Sequence, residues 1–200
     1  VPVLSNSEGL HTNGIYGFLN ILFKILDEEK AERLIVAFDL SAPTFRHKMY
    51  DAYKGTRKPM PEELREQVPV LKDVLKAMGI MTVSKEGYEA DDILGTLSRQ
   101  CEREGYDVSV ISGDRDLLQL ATDQICIRIP KTKMSGTEIE DYHAKDVLER
   151  YQVTPAQFID LKALMGDSSD NIPGVPGIGE KTAAKIITTF GSIENAYAHV

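Results

Sequence analysis

Short runs of β-branched residues alternate with helical patterns up to about residue 130, and this alternation restricts the fold more than any other feature of the 200-residue chain. "RLIVAF" (33–38), "IMTVS" (80–84) and "DVSVIS" (107–112) read as buried strands, and "QICIRI" (124–129) as a fourth. Helical periodicity occupies residues 14–28, 62–78 and 90–104. A repeated strand–helix order predicts an α/β fold, a mainly parallel, doubly wound sheet with helices on both faces. "PKTKMSGTE" (130–138) reads as a polar loop that includes Lys131 and Lys133. Beyond about residue 144 the pattern is all helical, and "PGVPGIG" (173–179) separates "FIDLKALMG" from "EKTAAKIITTFG". The expected division is an α/β core over 1–144, with a basic segment at about 45–66, and a helical segment over 145–200.

Composition excludes several classes. With 42% hydrophobic and 27% charged residues the chain is an ordinary globular sequence. Its most apolar helical stretch, "GIYGFLNILFKIL" (14–26), is interrupted by Asn20 and Lys24 and is too short for a membrane span, so an amphipathic core helix is expected. The opening "VPVLSNSEGLHTNG" lacks a secretory pattern. Cys101 and Cys126 form no Cys-x-x-Cys motif, which argues against a disulfide framework or thiolate metal site and for a reducing cytoplasm. Net charge is −8, yet between Arg46 and Lys58 five cations (Arg46, Lys48, Lys54, Arg57, Lys58) face the single anion Asp51, with Tyr50 and Tyr53 interleaved. This basic island in an acidic chain marks a candidate polyanion surface, and His47 within it is a candidate phosphate contact.

The acidic residues have their own order. Open parallel sheets bind ligands at the carboxyl ends of their strands. Asp39 ends "LIVAFD", Asp114 and Asp116 follow "VSVIS", and Glu89, Asp91 and Asp92 follow "IMTVS" and open the next helix. Taken singly, these are a helix cap, a solvated turn and a first-turn complement to the helix dipole. Taken together, they are expected to meet at one sheet edge. Two carboxylates about 4 Å apart repel by roughly 4 kcal/mol at an effective dielectric near 20, so such a crevice needs a cation. Oxygen-only donors favour magnesium or manganese over zinc, and a phosphodiesterase would hold two such ions about 4 Å apart.

A second acidic pair, Asp167 and Asp170, precedes the glycine-rich "PGVPGIGEKTAAKI". Gly174, Gly177 and Gly179 would let backbone amides approach a phosphate, with Lys181 and Lys185 on the helix that follows. Such a hairpin grips a nucleic-acid backbone without reading bases. The plain alternative is a turn between packed helices.

Five ordered motifs, "AFD", "FRHKMYDAYKGTR", "YEADDILGTL", "SGDRDLLQL" and "LMGDSSDNIPGVPGIGEKTA", together resemble the 5′ nuclease domains of bacterial DNA polymerase I, within the flap endonuclease family. The likeness runs from "LSNSEGLHTNGIYGF" to "FGSIENAY". It implies a PIN-like, resolvase-like 5′ nuclease core followed by a helix-three-turn-helix, and divalent-metal-dependent 5′-3′ exonuclease and flap endonuclease activity in primer removal and repair. By the same resemblance Asp39, Glu89, Asp91, Asp92, Asp114, Asp116, Asp167 and Asp170 hold two Mg2+ or Mn2+ ions, their division between the ions left open. Lys54 and Arg57 reach the scissile phosphate beside the aromatic Tyr53, and Arg46 and Lys48 add DNA contacts. Gly174, Gly177, Gly179, Lys181 and Lys185 grip the duplex, where the family pattern also includes a monovalent cation such as K+ on backbone carbonyls. Implied partners are DNA with a 5′ flap, nick or branch and a polymerase portion on the same polypeptide; the expected state is a monomer without a membrane, bacterial, cytoplasmic and nucleoid-associated.

The family pattern begins with a strand of the form "LLIDGNS", and this chain opens downstream of it, so a fragment is expected. A rival reading is therefore a structure-specific DNA-binding fragment with an incomplete metal site. A small-molecule phosphatase built on Asp114 and Asp116 accounts for neither the glycine hairpin nor the basic island.

Overall fold

A computed structural model describes residues 4–133 and 136–199, with the backbone alone at residues 132 and 133. In chain order its elements are α1 (Asn13–Glu29), β1 (Ile35–Ala37), α2 (Phe45–Met49), α3 (Glu62–Arg65), α4 (Gln67–Ala77), β2 (Met81–Val83), α5 (Ala90–Arg103) and β3 (Val108–Ile111). A 3₁₀ helix (Arg115–Leu120) follows, then β4 (Ile125–Lys133), β5 (Gly136–Tyr142), α6 (Ala144–Tyr151), α7 (Pro155–Met165), β6 (Gly166–Asp167), β7 (Ile172–Pro173), α8 (Glu180–Phe190) and α9 (Ile193–Tyr197). Among the described residues no helix is long and apolar enough to cross a membrane. The chain divides into two compact units, one formed by residues 1–42 and 58–90, the other by 43–57 and 91–200.

In the first unit β1 and β2 pair in parallel, Ile35 opposite Met81 and Ala37 opposite Val83. Helix α1 turns Leu22 inward against Leu71 and Leu75, with Ile15, Phe18, Leu19 and Leu26 flanking it, and buries Ile25 as well. Those positions recur at three and four residues, the spacing of one helical face. The amino end of α1 is satisfied from outside the helix. Buried Gln67 accepts hydrogen bonds from the amides of Gly14 (2.7 Å) and Ile15 (3.2 Å), while its amide group donates to the Asn13 side chain and the Glu63 carbonyl. The helix expected over 62–78 is broken at Glu66 into α3 and α4. Pro69 has no N–H to offer the Arg65 carbonyl and its ring crowds that group, which ends the continuous helix there.

The second unit carries the larger core. Strand β4 lies between β3, parallel, and β5, antiparallel. Ile125, Ile127 and Ile129 of β4 are buried on one face and Cys126 and Arg128 on the other. Buried Arg128 is paired with its cross-strand neighbour Asp141 at 2.8 Å. The stretch expected as a polar loop instead continues β4 to Lys133 and starts β5 at Gly136. Met134 and Ser135 lie outside the described residues, as does the side chain of Lys133. Helix α7 opens with Thr154 and Gln157 bonded reciprocally and Pro155 in the first turn, and buries Phe158, Leu161 and Leu164. The expected helix–turn–helix is α7, turn, α8. A short clasp is added to it: β6 and β7 pair Gly166 with Pro173 and Asp167 with Ile172.

Candidate functional site

The carboxylates are distributed by unit. Asp39 and Glu89 belong to the first, in which Asp39 accepts a hydrogen bond from the Ala90 amide at 2.7 Å and Glu89 is buried. Asp91, Asp92, Asp114, Asp116, Asp167 and Asp170 belong to the second. Among the described residues no three Asp, Glu, His or Cys side chains are grouped closely enough to hold a metal ion. Asp92, Asp116, Asp167 and Asp170 take their countercharge from the protein's own cations.

At the end of β3 the chain turns on side-chain hydrogen bonds: the Asp114 amide donates to Ser112 Oγ (3.1 Å), and the Asp116 amide to Asp114 Oδ1 (2.8 Å), starting the 3₁₀ helix. Asp116 then meets Lys162 of α7, Nζ to Oδ1 3.0 Å, and the same ammonium donates to Asp167 Oδ2 at 2.8 Å. The other oxygen of Asp167 accepts from the amides of Ser169 (2.7 Å) and Asp170 (3.1 Å). Burial pushes Asp167 up, but the Lys162 hydrogen bond and these amides outweigh it and bring its pKa down to about 2. Asp116 goes the other way, raised by burial and by the charges of Asp114 and Asp167 against the opposing pull of Lys162. Lys162 loses by burial and gains more from Asp167 and Asp116, so its pKa is raised. The charges of Asp114 and Asp167 thus both act on Asp116. Lys162 had no sequence signal beyond being a lysine among apolar neighbours in "FIDLKALM".

The basic island meets the next acid. Tyr53 Oη donates to Asp170 Oδ2 (3.0 Å), Arg57 pairs with Asp170 Oδ1, and Lys54 Nζ lies 4.0 Å from Oδ2. The backbone is sewn down too: the Lys54 amide donates to the Asp170 carbonyl (2.9 Å), and Asn171 Nδ2 to the Ala52 carbonyl (2.8 Å). Tyr53 is buried, with the His47 ring edge-on at 5.1 Å and Lys54 over its face at 5.0 Å. His47 itself bonds Thr44 at the start of α2. Arg46 grips Asp92 with two parallel hydrogen bonds of 2.8 Å, a fork that fits a carboxylate as well as a phosphate. Lys48 is exposed. A cavity of about 440 Å3 beside this junction is lined by Tyr50, Thr56, Asp167, Asn171 and Gly174.

The glycines of the hairpin serve different ends. A Cβ on Gly174 would lie 2.2 Å from the Met165 carbonyl carbon and oxygen, so its bare Cα permits the clasp. Gly177 has a φ of +79°, the left-handed region. Gly179 precedes α8, from which exposed Lys181 and Lys185 face a cavity of about 420 Å3 shared with Arg150, Gln152 and Thr188.

Residues 1–152 match the model of the 5′-3′ exonuclease N-terminal resolvase-like domain, and residues 153–200 that of the 5′-3′ exonuclease C-terminal SAM fold. The chain belongs to the 5′-3′ exonuclease family. Among its relatives is DNA polymerase I of Bacillus caldotenax, 52% identical over 200 residues, all of this chain and 23% of that protein. This chain thus spans about a quarter of the length of such relatives. A structure of the bacteriophage T5 5′-exonuclease with bound zinc ions is similar at a TM-score of 0.76 and 30% identity, covering 94% of this chain and 73% of the other. The bacteriophage T5 flap endonuclease in a pseudo-enzyme–product complex with DNA and metal ions gives 0.75 and 30%, covering 92% and 70%.

Proposed function

We propose that this chain is the nuclease module of a DNA polymerase I-like protein, hydrolysing DNA phosphodiesters in the 5′-3′ direction and at 5′ flaps, with divalent metal. One observation carries the reading: the acid loop 167–170 joins the basic island, through Asp170 with Tyr53, Lys54 and Arg57, and joins Asp116, through Lys162. The chemistry of the donors, rather than a preformed cluster, suits a hard cation, since Asp114, Asp116 and Asp167 offer only oxygen and Asp116 and Asp167 already share one positive group. Asp91, Asp92, Asp114, Asp116, Asp167 and Asp170 of the second unit are the proposed ligands; Asp39 and Glu89 enter through the resemblance alone. Two Mg2+ or Mn2+ ions, when bound, would lower the pKa of the attacking water and offset charge on the phosphate.

The chain's own residues do the rest. Lys54 and Arg57 place positive charge at the scissile phosphate and stabilise it as negative charge builds up. The Tyr53 ring, fixed by His47 and Asp170, holds that segment in place. Lys181 and Lys185, aided by Gly177 and Gly179, hold the backbone of the duplex, with Arg46 and Lys48 as further phosphate contacts. A K+ ion at the hairpin, a linked polymerase and a monomeric state rest on the resemblance.

The test is cleavage of a 5′-labelled flap substrate with and without MgCl2, by the chain and by its Asp114→Asn variant. Metal-dependent release of short oligonucleotides, reduced at least about a hundredfold in the variant, is expected; cleavage that survives chelator or the substitution overturns the reading. A second reading, binding without catalysis, is favoured by one observation: Asp92, Asp116, Asp167 and Asp170 all have protein cations as partners. Salt-sensitive flap binding without cleavage at any metal concentration would support it instead.

A further inference from the structure

Lys162 is a charged side chain that the proposed chemistry does not use. Its ammonium makes two charged contacts, to Asp116 at 3.0 Å and Asp167 at 2.8 Å, and none further among the described residues. Each of the three side chains stands on backbone with little freedom to move. Lys162 sits on α7 between Leu161 and Leu164, both buried. Asp116 belongs to the 3₁₀ helix whose Leu117 and Leu118 are buried, and Asp167 is fixed by the amides of Ser169 and Asp170. The convergence is therefore built into three core-anchored elements, unlike an ion pair between two mobile surface chains. It differs as well from the pairs made by Arg46, Lys54 and Arg57, whose cations come from the basic island.

We propose that Lys162 is a positioning residue, a resident cation that holds Asp116 and Asp167 together and sets how tightly they take a divalent ion. This rests on the metal-dependent reading above. Without a positive group the two carboxylates repel one another, and the ammonium relieves this. A divalent ion that uses the same oxygens must share them with the ammonium or displace it, and either route weakens its binding. Lys162 thus exchanges metal affinity for a site that stays assembled before metal arrives.

Titration of the full, metal-free chain with MgCl2 by calorimetry, and with Mn2+ by electron paramagnetic resonance, tests this for wild type, Lys162→Met and Lys162→Arg. Lys162→Met should lower the metal-free melting temperature by about 3–6 °C, yet bind Mg2+ about three- to tenfold more tightly, so that saturating Mg2+ raises its melting temperature more than that of wild type. Lys162→Arg, keeping the charge, should stay close to wild type in both. Should Lys162→Met fail to fold, Lys162→Gln carries the same expectations. A lowered melting temperature with unchanged or weaker Mg2+ affinity would reduce Lys162 to a structural ion pair and overturn the proposal. If wild type itself bound neither ion, the metal reading and this inference would both fall.

Discussion

Gln67 and Asp167 show how much a single polar side chain can carry when backbone amides converge on it. Gln67 satisfies two amides at the start of α1 and is itself buried. Gln67→Ala leaves those donors without partners, at a cost of about 1–2 kcal/mol; urea unfolding should show a lower midpoint at unchanged slope. Asp167, held at about 2 by Lys162 and two amides despite burial, has a pKa below its unfolded value near 3.9. Its contribution is therefore fully present above about pH 4 and is lost as pH falls through about 2. Asp116, raised, acts with the opposite sign: its protonated form suits the fold better, so ionising it costs stability as pH rises through the carboxylate range. In metal-free protein Asp167→Asn should flatten the acid limb of stability against pH by about 1–2 kcal/mol. An unchanged limb in urea melts between pH 2 and 5 would contradict that assignment.

Helix and strand boundaries in the first unit follow local chemistry, and Pro69 alone accounts for the split of α3 from α4. The β4–β5 hairpin does not, because "PKTKMSGTE" has neither alternation nor an apolar face to reveal a strand. Its register is carried by main-chain ladder bonds, Lys131 opposite Glu138 and Thr132 opposite Thr137. The α7–α8 turn was legible as a glycine hairpin, but the reason for Gly174 was not. The two chain passes at Met165–Gly166 and Gly174 are too close for a Cβ. Gly174→Ala should therefore open the β6–β7 clasp at a cost of roughly 3 kcal/mol, seen as a lower melting temperature and faster proteolysis between residues 166 and 179. Gly179→Ala, with open space at its Cβ, should change stability far less.

A net charge of −8 and a basic island are compatible in one molecule because phosphate binding depends on where the cations lie. Duplex affinity should fall with salt at a log–log slope near −0.9 per phosphate neutralised, and replacing both Lys181 and Lys185 by Ala should reduce that slope by about 1.8. Unchanged slope in filter binding or anisotropy would remove α8 from the interface. The sequence by itself determined the alternation of strand and helix, the acidic residues after three of the strands, the basic island, the glycine hairpin and, through their order, the family. All of these are written in local periodicity and short motifs. Only the tertiary structure decided which cation neutralises which acid: Arg46 with Asp92, Arg57 with Asp170, and Lys162 between Asp116 and Asp167. Those partners, save Lys162 and Asp167, lie more than 40 residues apart, and they meet because the packing of helices and strands carries them there, which no local pattern records.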